Sequence, residues 1–208
     1  MNIAKKQLVS YLLNALIFIL GFTAVLRSLI YHNTGSNLGY YTELSNLFGG
    51  IVALMYVLTA FIDNSIYKRA VTFFKVVTVT MLSITFLVSA VYLAPTFGSY
   101  ILFGERLVLV HFIIPLIALI SFLLFDTYEF KFYDTFSGAC ATSVYGLAWI
   151  IKMLATSSDV DAPYPFLQIF RQPGWQSALW FIGLVGLAYL VSFLLYLGNK
   201  KLSKLINF

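Results

Sequence analysis

LVLVHFIIPLIALISFLLF, the nineteen residues from Leu107 to Phe125, carries no charge, and His111 and Ser121 are its only polar side chains. As a helix rising 1.5 Å per residue it reaches roughly 28 Å, close to the ~30 Å hydrocarbon core of a bilayer. A strand of a transmembrane barrel would run about ten residues and alternate in polarity. This stretch does neither, so it reads as a membrane-spanning helix.

Five more apolar segments flank it. In order, the expected spans run from about Val9 to Tyr31, Tyr41 to Ile62, Thr72 to Leu93, Arg106 to Phe125, Thr135 to Leu154 and Trp175 to Gly198. The second and fifth are the most polar. The chain of 208 residues has a mean hydropathy of +0.90, with 61% hydrophobic and 10% charged residues. Soluble domains carry roughly 25% charge. The expectation is an all-α integral membrane protein, a single domain of six transmembrane helices. The first segment follows Lys5 and Lys6 like a signal peptide, but its apolar run is long and no small-residue cleavage site is evident, so it reads as an uncleaved span.

Lysine and arginine set the orientation. Alternating the spans places Lys5, Lys6, Lys68, Arg69, Lys75, Lys131, Lys200, Lys201 and Lys204 on one side, and Arg27, Arg106, Lys152 and Arg171 on the other. The richer side should be cytoplasmic, which puts both termini inside. The net charge of +5 is scattered at span ends rather than gathered into a patch, which argues against nucleic-acid binding. One cysteine, Cys140, excludes an intramolecular disulfide and a multi-cysteine metal site. No metal or other cofactor is expected. The one long connection, from Ala155 to Gly174, faces outward, and its Tyr164, Phe166 and Phe170 suit the membrane interface.

Polar residues inside spans are costly, which makes each a candidate. On this topology Arg27, Thr42, Glu43, Asn46, Glu105, Arg106, His111 and Lys152 fall in or near the outer half. Arg27, Arg106 and Lys152 have an ordinary explanation, snorkelling to the headgroups. His111 stands four residues before Pro115, whose missing N–H frees the His111 carbonyl and favours a kink. A histidine joining two helices by a hydrogen bond is the plain alternative. His32 belongs to the first outward loop. In YYTELSNLFGG, Tyr40 to Gly50, helical spacing puts Thr42, Ser45, Asn46 and Gly49 on one face and turns Glu43 away. Helix contacts, or a Thr42 cap, would account for that face. A nucleophilic hydroxyl needs a base within reach, and His111 lies at similar depth.

Tyr41-Thr42-x-x-Ser45-Asn46, His111-x-x-x-Pro115 and Pro163-Tyr164-Pro165-Phe166 together resemble the androgen-inducible family of six-span membrane proteins, and most closely its bacterial relatives. The eukaryotic members are hydrolases of fatty-acid esters of hydroxy fatty acids, with an intramembrane threonine and histidine. The resemblance implies Thr42 as nucleophile and His111 as base, with a membrane lipid or lipid ester as the partner and a bacterial cytoplasmic membrane as the location. Glu43, Asp159 and Asp161 have no counterpart in the match. Asn46 or Ser45 would serve as oxyanion donors, Asn46 first because its amide carries two donors. Arg27, Glu43, Arg106, Lys152 and Tyr164 are the substrate-binding candidates. A small transporter or lipid-binding protein, using those charges for an anionic headgroup, and a structural protein locked by its polar residues are the other readings.

Overall fold

The computed structural model describes residues 3–32, 39–105, 107–126 and 130–205. Arg106 lies outside them, as does the side chain of His32. Among the described residues there are helices and no strands. The long ones are α1 (Ile3–His32), α2 (Tyr41–Leu58), α3 (Ser65–Phe97), α4 (Leu109–Phe125), α5 (Thr135–Thr156) and α6 (Gly174–Leu205). Five of these, all but α4, are long and apolar enough to cross a membrane. The fourth expected span is the shorter helix α4, which at 1.5 Å per residue falls just below the usual spanning length.

Local chemistry explains where the ends depart from hydropathy. α3 starts seven residues before the expected Thr72 because Asn64 caps it, its side chain accepting from Tyr67 N–H at 2.9 Å. α2 stops at Leu58 rather than Ile62, where Thr59 bonds back to the Tyr56 carbonyl at 2.6 Å. α5 ends on Ser157 in the left-handed region, φ 49°. α4 opens with a π turn, Leu109–Ile113, directly before Pro115, whose missing N–H leaves the i→i−4 ladder incomplete there.

Contacts between helices give an up-and-down arrangement. Ser10 meets Tyr56 while Gly21 meets Asn46 and Gly50, so α1 and α2 are antiparallel. A Cβ on Gly21 would stand 2.9 Å from the Asn46 carbonyl, so only glycine permits that approach. Ser45 bonds Thr85 and Tyr67 bonds Met55 O, making α2 and α3 antiparallel. Asn46 reaches Val110 and Asn14 reaches Ser121, which sets α4 antiparallel to α1. Gly138 touches Thr80 and Ser192, with its Cβ position 2.7 and 2.8 Å from their hydroxyls, so α3, α5 and α6 nearly touch there.

The bundle therefore has two ends. One, called here the amino end, holds the start of α1, Tyr56, Lys75, Asp126 and Asp134. The other, the loop end, holds Arg27, Tyr41, Glu105 and the connection from 157 to 173. Lys75, tallied with the basic residues of one side, is 3% exposed there, because Asn14 and Asp126 draw its ammonium inward. One sequence expectation is corrected by this packing. Tyr164 and Phe166 turn into the bundle rather than resting on an interface, at 8% and 7% exposure, because they stack on each other (5.1 Å, 6° between planes) and Phe166 packs on Trp180 and Tyr92. Phe170 stays exposed.

Candidate active site

The polar face of α2 forms as its spacing predicts. Thr42, Ser45, Asn46 and Gly49 are all buried, and Glu43 points elsewhere. Thr42 sits inside the helix, and the N-cap is Tyr40, so the capping explanation for Thr42 does not apply. Ser45 donates to the Thr42 carbonyl at 2.9 Å and shares a hydrogen bond of 2.9 Å with Thr85. Asn46 donates to the carbonyls of Thr42 at 2.8 Å and of Val110 at 3.1 Å. Both of its amide hydrogens are then spent on backbone, and it has none left for an oxyanion.

Thr42 lines a narrow, largely apolar slot at the loop end, between α2, α3, α5 and the start of α6. Ile84, Val88, Leu93 and Trp180 form its walls, and Tyr41, Thr142, Tyr145 and Ser177 supply scattered hydroxyls. Tyr41 and Thr142 satisfy each other at 3.0 Å. Ser177 Oγ is buried with no hydrogen-bond partner among the described residues. Tyr164 closes the slot, which it lines together with Thr42. Burial pushes the Tyr164 phenol above its ordinary value, so the group is protonated at neutral pH.

His111 is 6% exposed and does not line this slot. Its Nδ1 lies 2.6 Å from the carbonyl of Ile101, in the short helix Tyr100–Phe103. A carbonyl only accepts, so in the neutral ring the proton sits on Nδ1 and Nε2 presents a lone pair. Among the described residues no hydrogen bond joins Thr42 to His111. Asn46 links their surroundings, since it binds the backbone of Thr42 and of the residue before His111.

No family model, curated protein or solved structure matches this chain. Its chemistry therefore has to be read from its own geometry.

The charged candidates divide in three. Arg27 and Glu43 line a separate polar cleft at the loop end with Ser28, Tyr100 and Glu105, on the other side of α2 from the slot. Lys152 is exposed and engaged by the long loop, 3.0 Å from Asp161 and over the Trp149 ring at 4.5 Å. Arg106 falls outside the described residues. Among the described residues no group of three or more metal-ligating side chains occurs. Cys140 is exposed on α5 and free.

Sequence reading missed two features. Ser177 stands in the first turn after Pro173 and carries no motif; only its orphaned hydroxyl in the slot marks it. The second is the charged cluster around Lys75 at the amino end. Its signal lay in Ser10, Asn14 and Ser121, polar residues within two apolar-rich segments, the first and the fourth.

Proposed function

We propose that this protein is a six-span intramembrane hydrolase of lipid-type esters, with Thr42 as nucleophile and His111 as base. The observation that carries the reading is Thr42 itself: a buried threonine hydroxyl on the wall of a narrow apolar slot, with a protonated phenol against it. An extended hydrocarbon chain suits such a slot better than a ring or a charged group does. The ester carbonyl would then lie at Thr42, and attack would place negative charge beside Tyr164.

Tyr164 takes the oxyanion role expected of Asn46. Asn46 keeps the backbone of α2 and α4 in register instead, and Ser45 fixes Thr42 against Thr85. His111 Nε2 accepts the threonine proton through one water or a change of rotamer. Such gaps before substrate binds are common in hydrolases. Collapse of the oxyanion breaks the ester C–O bond, His111 returns the proton to the departing alcohol, and water activated by His111 then hydrolyses the acyl-threonine to the free acid and restores Thr42.

α4 counts as the fourth crossing in this reading, since it lies antiparallel to α1 along its length. With the termini inside, the slot opens in the outer half of the membrane. A lipid-binding protein without catalysis would use the same slot. The two separate on one experiment, in which purified protein in nanodiscs is treated with a fluorophosphonate probe and with long-chain fatty-acid esters. Labelling and ester cleavage that both disappear in Thr42→Ala and His111→Ala, in protein that still folds, support hydrolysis. Binding of the ester without labelling or cleavage overturns it.

A further inference from the structure

The polar cleft of Arg27, Glu43 and Glu105 takes no part in the slot and carries charges of both signs. It is a half-open cavity of about 490 Å³, within the roughly 300–1,000 Å³ usual for ligand sites. α1, α2, the short helix Tyr100–Phe103 and the start of α4 surround it. On α1, Gly21 touches the backbone of Asn46 and Gly50, Ala24 one turn later is buried on the cleft floor, and Arg27 lines the cleft one turn beyond. Gly104 shapes the opposite wall. A Cβ there would stand 2.6 Å from the Tyr100 carbonyl, so glycine lets the chain turn back and bring Tyr100 and Glu105 to the same cavity.

Arg27 and Glu105 are exposed, and Glu43 is half-buried. Among the described residues no ion pair or hydrogen bond joins Arg27 to either carboxylate. Opposite charges thus border one space without closing on each other. The sequence adds Arg106 beside Glu105, so the region carries two charges of each sign. That balance selects the ligand. A lone anion drawn to Arg27 would meet Glu43 and Glu105, and a lone cation would meet Arg27, whereas a molecule bearing both charges answers both. A guanidinium matches a phosphate through paired N–H donors. A primary ammonium offers a carboxylate three hydrogens, and a quaternary ammonium offers none. Leu107 and Val110 extend the apolar floor from Ala24, which suits the carbon chain attached to such a headgroup.

We propose that this cleft binds a phosphoethanolamine zwitterion, with the phosphate on Arg27 and the ammonium on Glu105, where Glu43 adds its negative charge. No bond is made or broken in the ligand. The site stands independently of the hydrolase reading, because α2 separates the cleft from the slot.

Native mass spectrometry of the full chain in detergent tests it, with dioleoyl phosphatidylethanolamine, phosphatidylcholine and phosphatidylglycerol offered as an equimolar mixture. The wild type should retain the ethanolamine lipid about tenfold over the glycerol lipid, the size of one charge-assisted hydrogen bond, and should favour it over the choline lipid as well. Glu105→Gln should erase the preference over the glycerol lipid, while Glu105→Asp keeps it. Arg27→Gln should lower retention of the ethanolamine and glycerol lipids alike, by about tenfold. Both side chains are exposed, so these variants keep the fold. An excess of water-soluble glycerophosphoethanolamine identifies the source. Ethanolamine lipid that stays bound assigns the site to a membrane lipid, and lipid that is displaced assigns it to the free zwitterion; both outcomes support the proposed chemistry. A wild type that retains all three lipids equally overturns the site. So does a Glu105→Gln variant that keeps the ethanolamine preference, or an Arg27→Gln variant that retains both phospholipids as the wild type does.

Discussion

The two polar regions of this bundle use their hydrogen-bonding atoms in opposite ways. At the loop end, uncharged hydroxyls line an apolar slot, and while Tyr41 and Thr142 satisfy each other, Ser177 has no partner among the described residues. At the amino end, charges and amides are packed into a knot in which Ser10, Asn14, Ser121 and Lys75 all have partners. Burying an unpaired hydroxyl is costly unless something comes to satisfy it, so the slot has the character of a receiving site. The knot joins three long helices and the end of α4, and its removal should be felt as loss of packing. The slot and the knot lie at opposite ends of the bundle, with α3 running through both.

Breaking that separation gives the largest expected effect. Thr42→Ala should abolish ester cleavage, by about 10³-fold or more as for other nucleophile deletions, while leaving thermal unfolding almost unchanged. Cleavage assayed beside a melting curve checks both halves. If the variant loses stability and activity together, Thr42 belongs with the fastening residues and the contrast fails.

Next in size are the single charge deletions at the amino end. Asp126→Asn or Lys75→Met should each cost about 3–5 kcal/mol, because one buried charge is left alone, whereas the double variant should recover a large share. Denaturant titration of the three variants measures the difference. Equal losses in single and double variants would mean that the pair is not coupled and that the knot rests on Asn14 and the serines.

Tyr164→Phe sharpens the assignment within the slot. Losing the donor beside the attacked carbonyl should lower kcat by roughly 10²-fold with little change in KM, the pattern of an interaction formed in the transition state. A change confined to KM would make Tyr164 a wall of the slot. Asn46→Ala, by contrast, should act through stability, since its amide spans two backbones.

How far these regions could be read from sequence follows from the range of the contacts that build them. The face of Thr42, Ser45, Asn46 and Gly49 repeats within one helix, so spacing alone places it and turns Glu43 away. Pro115 likewise announces a local break, which appears as the π turn before it. The burial of Lys75 was not legible because Asn14 and Asp126, 61 and 51 positions away in the chain, hold it inward. Tyr164 was misread for a related reason. An aromatic in an outward loop normally rests on lipid, and its burial here depends on stacking with Phe166 and on Tyr40 across the mouth of the slot. Donor counts are equally invisible in sequence: Asn46 carries two amide hydrogens, but both go to carbonyls on two different helices.

The smallest expected effect concerns Lys152, a basic candidate that belongs to neither region. It meets Asp161 at 3.0 Å, but the side chains of both are largely exposed, at 45% and 65%, and pairs of that kind contribute about 0–1 kcal/mol. Lys152→Met keeps much of the side chain's apolar contact with Trp149 while removing the charge. If the slot takes a neutral ester, this variant should leave both melting temperature and cleavage close to wild type. A selective loss of cleavage for anionic esters alone would place Lys152 in the substrate path, and would extend the receiving region from the uncharged slot to its charged rim. Loss for neutral esters as well would point instead to the loop, because Asp161 and Tyr164 share it and a displaced Tyr164 would impair every substrate alike.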